Sequence, residues 1–246
     1  KSADGVNLDA WWIPAPAAST RTMLVCHGVG ANRDDILRFI PFLHDAGYHV
    51  LTWDWRGHGL SDWTQVTFGL NEKKDVRAAV DWLKKEKPAE SAWLGALGIS
   101  MGAGILVQAG PSCPEVKAFV LDSPFSSVRT MLPYMLRTLP PMLRDLVCAL
   151  TAMAARVVVG TSVDGVAPVN FIGDIAPRPI FMSHGKADQV IPWEETPRLQ
   201  AAAKGPVEVW LEPDIRHTEL REYQPEEYHR RVLAFLEKAR GAASAR

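Results

Sequence analysis

The fold of this chain is decided by residues 93–107, which read WLGALGISMGAGILV. The first seven of these residues are apolar or glycine and predict a buried strand, whereas the small residues that follow Met101 predict a helix. At the junction, residues 98–102 match the pattern G-x-S-x-G, with Ser100 at its centre. A sharp strand-to-helix turn exposes the central hydroxyl, and its glycines avoid collisions with neighbouring backbone. The pattern therefore predicts a nucleophile at Ser100, with a tight turn that carries no chemistry as the alternative.

Short apolar runs alternate with helical stretches along the rest of the chain. The predicted strands are residues 6–13, 22–26, 49–53, 93–99, 118–121, 180–183 and 207–211. The predicted helices include residues 36–43, 71–83 and 101–110, and a terminal helix that begins at Pro225. This alternation predicts an α/β fold with a mostly parallel central sheet and helices on both faces. At this length, we expect residues 1–246 to form a single domain.

The connection across residues 123–177 is far longer than the roughly 2–6 residues of ordinary loops in such folds. It is rich in leucine and holds four of the seven methionines, and Pro140 and Pro141 divide it into two helical pieces. We expect a helical lid insertion rather than a second domain, because the segment is too short to own a full core. A lid would cover the nucleophile, with Met131 and Met135 lining an apolar acyl pocket. Packing onto the body, or docking of a membrane or a partner, stays open as the alternative.

Composition excludes several classes of protein. The chain has 246 residues, of which 47% are hydrophobic and 22% are charged, so a disordered or collagen-like protein is excluded. The net charge of −1 provides no electrostatic basis for binding nucleic acid. Three cysteines argue against a disulfide framework and favour a reducing, cytoplasmic compartment. The sequence contains no uninterrupted apolar run of about 18 residues, so no membrane span is predicted. Because the chain opens with Lys1, the possibility that an N-terminal membrane anchor was removed stays open.

A serine nucleophile needs a base, and the base needs an acid that orients it. Asp188 and His217 each follow a predicted strand. The carboxyl ends of parallel strands meet at one edge of a sheet, so both side chains are expected near Ser100. Asp122 also follows a strand and is the rival acid, whereas Asp214 is too close to His217 in sequence to pair with it well.

Two further loops that contain glycine follow strands. In residues 27–30, HGVG, the backbone N–H of Val29 is predicted to bind a developing oxyanion together with that of Met101. Residues 54–61, DWRGHGLS, are expected to hold their own loop through bonds from side chains to backbone. Aromatic side chains near the loops are candidates for lining a substrate pocket, namely Trp55, Trp63 and Trp193.

Taken together, these motifs resemble those of serine hydrolases of the α/β-hydrolase superfamily. The matching stretches fall in order along the chain: HGVG (27–30), DWRGHGLS (54–61), GISMG (98–102), HGKAD (184–188) and the late His217. Within the superfamily, the chain is most similar to esterases and acyl-thioesterase-like proteins, whose N-terminus often carries a membrane anchor. The resemblance implies an α/β-hydrolase fold with a catalytic triad of Ser100, Asp188 and His217.

The predicted function is hydrolysis of a small-molecule carboxylic ester or thioester through an acyl-enzyme on Ser100. Neither a metal nor an organic cofactor is expected, since no motif with metal-ligand spacing is present. A peptidase or amidase of the same fold, similar to prolyl oligopeptidases, is one alternative. A catalytically silent fold used for binding is another, although the usual mark of such a protein is a damaged triad. The oligomeric state and the physiological substrate stay open.

Overall fold

Seven strands build one sheet in the computed structural model, which describes residues 1–160 and 162–244. The strands are β1 (Ala10–Ile13), β2 (Arg21–Cys26), β3 (His49–Trp53), β4 (Trp93–Ile99), β5 (Val116–Asp122), β6 (Ile180–Gly185) and β7 (Val207–Glu212). Their order across the sheet is β1-β3-β2-β4-β5-β6-β7. β1 pairs with β3 in antiparallel fashion, and the other neighbouring pairs are parallel. The predicted α/β fold with a mostly parallel sheet is therefore confirmed.

β2 shows why both faces of this sheet are covered. Met23 and Val25 join one hydrophobic cluster, whereas Leu24 and Cys26 join another. Successive side chains of a strand point to opposite faces, so the two clusters lie on the two sides of the sheet. A parallel strand that is buried on both faces reads as a continuous apolar run. This is why the stretch could be recognised in the sequence.

Helices supply the outer layers. They are α1 (Ile40–Asp45), α2 (Lys73–Glu86), α3 (Met101–Ala109), α4 (Val128–Met135), α5 (Pro141–Ala154), α6 (Glu195–Ala202), α7 (Leu220–Tyr223) and α8 (Pro225–Ser244). Side chains of α1, α7 and α8 join the cluster of Met23, and those of α2, α3 and α6 join the cluster of Leu24. The predicted helices on both faces are confirmed, and β4 is left in the middle of the sheet.

The insertion between β5 and β6 contains α4 and α5, followed by a π-helical turn over Ala155–Val159. Pro140 and Pro141 mark the break between its two helices, with Pro141 as the first residue of α5. The break is expected, because proline cannot continue a helix. α4 buries Met131, but α5 buries none of its side chains. Large apolar side chains of α5 therefore remain accessible, with Leu146 and Met153 53% and 58% exposed. Across both described ranges, no helix combines the length and hydropathy needed to cross a membrane.

Candidate active site

The turn from β4 into α3 holds Ser100 in a strained conformation. Its φ is 53° and its ψ is −115°, and backbone of this kind costs about 1–3 kcal/mol in a residue other than glycine. The Ser100 N–H donates to the carbonyl of Asp122 at 2.8 Å, which ties the turn to the neighbouring strand. A Cβ at Gly98 would lie 2.7 Å from the Ala103 nitrogen, and one at Gly102 would lie 2.6 Å from the Cys26 oxygen. Both glycines of the pattern are thus required by close backbone contacts.

Three predicted site residues lie in one row of hydrogen bonds. The Ser100 Oγ lies 2.9 Å from the His217 Nε2, and the His217 Nδ1 lies 2.5 Å from the Asp188 Oδ2. Asp188 follows β6 and His217 follows β7, so the sheet delivers all three side chains to the edge where its parallel strands end. In this geometry the Ser100 hydroxyl donates to Nε2, while Nδ1–H donates to the carboxylate. The imidazole can therefore take a proton from the hydroxyl.

The Asp188 carboxylate is buried but well supplied with donors. Its Oδ1 accepts from the Val190 N–H at 2.7 Å and from the Ile191 N–H at 2.9 Å. Burial by itself would raise the pKa of Asp188, but hydrogen bonds from His184 and His217 outweigh it and hold the pKa well below its usual range. The group is therefore ionised at neutral pH, which is the state that stabilises an imidazolium.

Asp122, the rival acid, has a different environment. It is fully buried at the end of β5, and burial raises its pKa. Its Oδ1 accepts from the Ser123 hydroxyl at 3.0 Å. Because the His217 Nδ1 contacts Asp188, the geometry favours Asp188 over Asp122 as the partner of the imidazole.

The HGVG loop runs directly beside Ser100. A Cβ at Gly28 would lie 3.9 Å from the Ser100 Oγ. The buried ring of His27 accepts from the Trp55 N–H at 3.1 Å, and desolvation by burial lowers the pKa of His27 to about 4. Val29 lies in the same loop and is half exposed, with 47% of its surface accessible.

Met101 occupies the first turn of α3, where backbone N–H groups have no partner within the helix. The two amides predicted to bind an oxyanion, those of Val29 and Met101, thus belong to the two segments that flank Ser100. Their role in binding the oxyanion stays a prediction.

Trp55 does not line a pocket, and that expectation is wrong. The side chain is completely buried, and its indole N–H donates to the His27 carbonyl at 2.9 Å. Its ring packs edge-on against Trp53 with 5.1 Å between centroids. Trp55 therefore supports the HGVG turn from the core, where its ring is packed and its indole N–H has an acceptor.

The other pocket candidates lie in varied surroundings. Met131 is buried in a small apolar cluster with Phe125, Val166 and Ile191. Met135 keeps 43% of its surface exposed. Trp193 is half-buried, and the Lys186 Nζ lies 5.1 Å from its ring centroid. Their contact with a substrate stays a prediction, and Met131 shares its cluster with Ile191, whose N–H donates to Asp188.

Sequence reasoning missed the side chains that attach α4 and the turn after it to the loop that follows β6, residues 186–191, which holds Asp188 and is called the acid loop below. The Tyr134 hydroxyl donates to the Asp188 carbonyl at 2.7 Å, and Arg137 donates to the Gln189 carbonyl at 2.7 Å. The buried Glu195 accepts from the N–H of Ser126 at 2.7 Å and from its hydroxyl at 2.5 Å. No sequence signal pointed to these bonds, because Tyr134, Arg137 and Glu195 belong to none of the recognised motifs and their partners lie more than fifty residues away.

In the described part of the chain, the structure offers no second candidate site close to Ser100. A cavity of about 640 Å³ opens beside α2, and Lys73, Arg77 and Phe171 belong to its lining, but none of its lining residues belongs to the Ser100 site. Among the residues that the structure describes, no group of three or more His, Cys, Asp or Glu side chains is placed to hold a metal ion.

Comparison with known proteins agrees with this architecture. The family model described as serine aminopeptidase, S33, matches residues 17–172. The chain is 29% identical over 238 residues to the uncharacterized protein YqkD of Bacillus subtilis, covering 96% of this chain and 77% of that protein. It is also 29% identical over 220 residues to the uncharacterized protein YfhR of Escherichia coli K12, covering 87% of this chain and 70% of that protein.

Among solved structures, the Pyrococcus furiosus esterase Pf2001 superposes with a TM-score of 0.78 at 28% identity, covering 96% of this chain and 89% of that one. The family match spans more than half of the chain, and the superposition covers nearly all of it. The chain therefore belongs to the serine aminopeptidase S33 family of α/β-hydrolase serine hydrolases.

Proposed function

We propose that this hydrolase cleaves carboxylic esters or thioesters through an acyl-enzyme on Ser100. The observation that carries the proposal is the row of hydrogen bonds from the Ser100 hydroxyl through the His217 ring to the Asp188 carboxylate. A serine becomes nucleophilic when a base takes its proton and an acid orients that base. The similarity to an esterase at 28% identity supports an ester as the substrate.

In the proposed mechanism, the Ser100 Oγ attacks the acyl carbonyl carbon while its proton passes to the His217 Nε2. Asp188 keeps the imidazole in the correct tautomer and stabilises its positive charge. The N–H groups of Val29 and Met101 donate to the oxyanion, and each such donor contributes about 3–4 kcal/mol of barrier lowering.

The remaining steps release the two products. His217 gives its proton to the departing alkoxide or thiolate, which leaves the acyl group on Ser100. His217 then takes a proton from a water molecule that attacks the acyl carbon. Collapse of the second intermediate frees a carboxylic acid and returns the proton to Ser100.

The acyl group is proposed to lie along α4. Met131 belongs to the apolar cluster of Ile191, and Ile191 donates its N–H to the catalytic acid Asp188. Met135 follows one helical turn later on the same segment and is partly exposed. A flexible, apolar wall at this place suits an acyl chain.

The test is covalent labelling of Ser100 together with a substrate panel. We expect a fluorophosphonate to label the wild-type protein and to leave a folded Ser100→Ala variant unlabelled, with kcat lowered by several orders of magnitude. Equal labelling of the two proteins would contradict the assignment of Ser100. The panel consists of p-nitrophenyl esters of rising chain length, one thioester and one anilide.

Two alternatives are decided by the same panel. The description of the matching family as a serine aminopeptidase favours an amide substrate, so a preference for the anilide over the esters would replace esterase by amidase or peptidase. A protein that neither labels nor turns over any member of the panel would be a silent fold used for binding.

A further inference from the structure

His184 lies beside the proposed triad and is completely buried at the end of β6. Its Nε2 is 3.0 Å from the Asp188 Oδ2, which is the same oxygen that the His217 Nδ1 contacts at 2.5 Å. Its Nδ1 is 2.8 Å from the Thr196 Oγ1 on α6. Two imidazoles therefore share one carboxylate oxygen, and the second of them is held by a hydroxyl from another element.

The contacts of His184 define which nitrogen carries the proton. An ionised carboxylate accepts hydrogen bonds and has none to donate, so Nε2–H of His184 is the donor to Asp188. Nδ1 is then the acceptor, and the Thr196 hydroxyl donates to it. Accepting this bond polarises the ring and strengthens Nε2–H as a donor.

We propose that His184 is a positioning residue that acts on His217 through Asp188 and weakens the binding of a proton by His217. The inference rests on the proposed function, because it gives His217 the role of base. A donor on Oδ2 spreads the negative charge of the carboxylate over two partners. Without His184, the carboxylate would keep the Val190 and Ile191 donors on Oδ1 but lose one on Oδ2, so more of its negative charge would act on His217, which would give up its proton less readily.

Other titratable groups also face this network. Asp122 lies on the neighbouring strand and interacts with both histidines, and burial raises its pKa. Tyr228 on α8 lies beyond Asp122, and burial also raises its pKa. Glu195 precedes Thr196 on α6 but accepts from Ser126 instead. None of these groups is altered by the substitutions below, so they act equally in every protein compared.

The experiment compares His184→Phe, which keeps a ring and loses the donor, with His184→Gln, whose amide N–H can replace Nε2–H. The readout is kcat/KM against pH on a short ester. We expect the acidic limb of the profile for His184→Phe to move to higher pH by about one unit. KM should change little, and His184→Gln should return the limb toward the wild-type position. If the acidic limb of kcat/KM lies at the same pH in wild type and in a folded His184→Phe variant, the proposal is overturned.

Because His184→Phe alters a buried site and can fail to fold, Thr196→Val and Thr196→Ser form a second pair. Thr196→Val removes only the hydroxyl and is expected to move the acidic limb in the same direction by a smaller amount, whereas Thr196→Ser should behave as wild type. An unmoved limb in Thr196→Val would overturn the proposal. Failure of wild type to label with a fluorophosphonate would overturn the proposed function as well, so the two failures are distinguishable.

Discussion

At the scale of single residues, Asp188 and Asp122 show how surroundings assign roles to identical side chains. Both are buried at the carboxyl ends of neighbouring strands. Asp188 accepts from two backbone N–H groups and two imidazoles, so its pKa lies below the usual range despite its burial. Asp122 accepts from the Ser123 hydroxyl, and burial raises its pKa. The Asp188 carboxylate is thus the better partner for an imidazolium.

This difference predicts unequal effects of two matched substitutions. Asp188→Asn should lower kcat by about 10³–10⁴-fold, because the amide cannot hold the tautomer of His217 that takes a proton from Ser100. Asp122→Asn should leave kcat within about tenfold of wild type, since the His217 ring contacts Asp188 and not Asp122. The measurement is kcat on one good ester, with circular dichroism as the check on folding. A greater loss in Asp122→Asn than in Asp188→Asn would move the catalytic acid to β5.

At the scale of elements, the two helices of the insertion differ sharply. α4 is tied to the acid loop by Tyr134 and Arg137, and it buries Met131. α5 has no buried side chain, and Met142 and Met153 on it are 89% and 58% exposed. The first helix is therefore the part of the insertion that is held close to Asp188, the proposed catalytic acid.

We expect α4 to set the preference for acyl-chain length. In the double variant Met131→Ala/Met135→Ala, the optimum among p-nitrophenyl esters should shift, because each lost side chain alters the binding of a long acyl group by about 1–3 kcal/mol. Activity on the acetyl ester should stay within a few-fold of wild type. The matched control is Met142→Ala/Met153→Ala on α5, which should keep the wild-type profile.

Burial of Met131 makes folding a necessary check on this prediction, since removing a buried methionine costs about 2–5 kcal/mol. Met131→Leu/Met135→Ala keeps the buried volume and serves where the first variant unfolds. A folded α4 variant with an unchanged chain-length profile would assign these side chains to packing alone.

At the scale of the whole molecule, buried titratable groups make stability depend on pH. Desolvation lowers the pKa of His27 from 6.5 to about 4, so the unfolded chain binds a proton that the folded chain excludes between these values. The contribution of neutral His27 is complete above pH 6.5 and is lost as the pH falls toward 4. Asp188 and Asp4 have lowered pKa values, so their contributions persist to lower pH and are lost below about pH 4.

The prediction is a fall of about 3 kcal/mol in the free energy of unfolding between pH 7 and pH 4 that is specific to His27. Urea titrations of wild type and of His27→Gln, which cannot be protonated in this range, measure it as the difference between the two pH profiles. Asp122, whose raised pKa acts in the opposite direction, is present in both proteins and cancels. Parallel profiles of wild type and variant would contradict the prediction, because they would show that His27 binds a proton as readily in the folded chain as in the unfolded chain.

The sequence by itself determined the strands of the sheet, the presence of helices on both faces, and the candidates for the site. Buried parallel strands and the helices between them leave a local pattern of apolar residues, which chain neighbours alone can reveal. The G-x-S-x-G turn is also recognisable locally, because close backbone contacts at the turn require its glycines. Asp188 and His217 could be nominated because parallel strands deliver the loops at their carboxyl ends to one edge.

Only the tertiary structure decided which of these side chains meet and which are buried. Trp55 can be buried because its indole N–H donates to the carbonyl of His27, which follows the neighbouring strand, and the periodicity of the sequence gives no sign of that partner. The choice between Asp188 and Asp122 depended on which carboxylate the His217 ring contacts. The attachment of α4 through Tyr134 and the exposure of α5 likewise depend on partners far apart in the chain. Such contacts form when distant segments pack together, so the physical information that specifies them lies in the folded arrangement and not in any single stretch of residues.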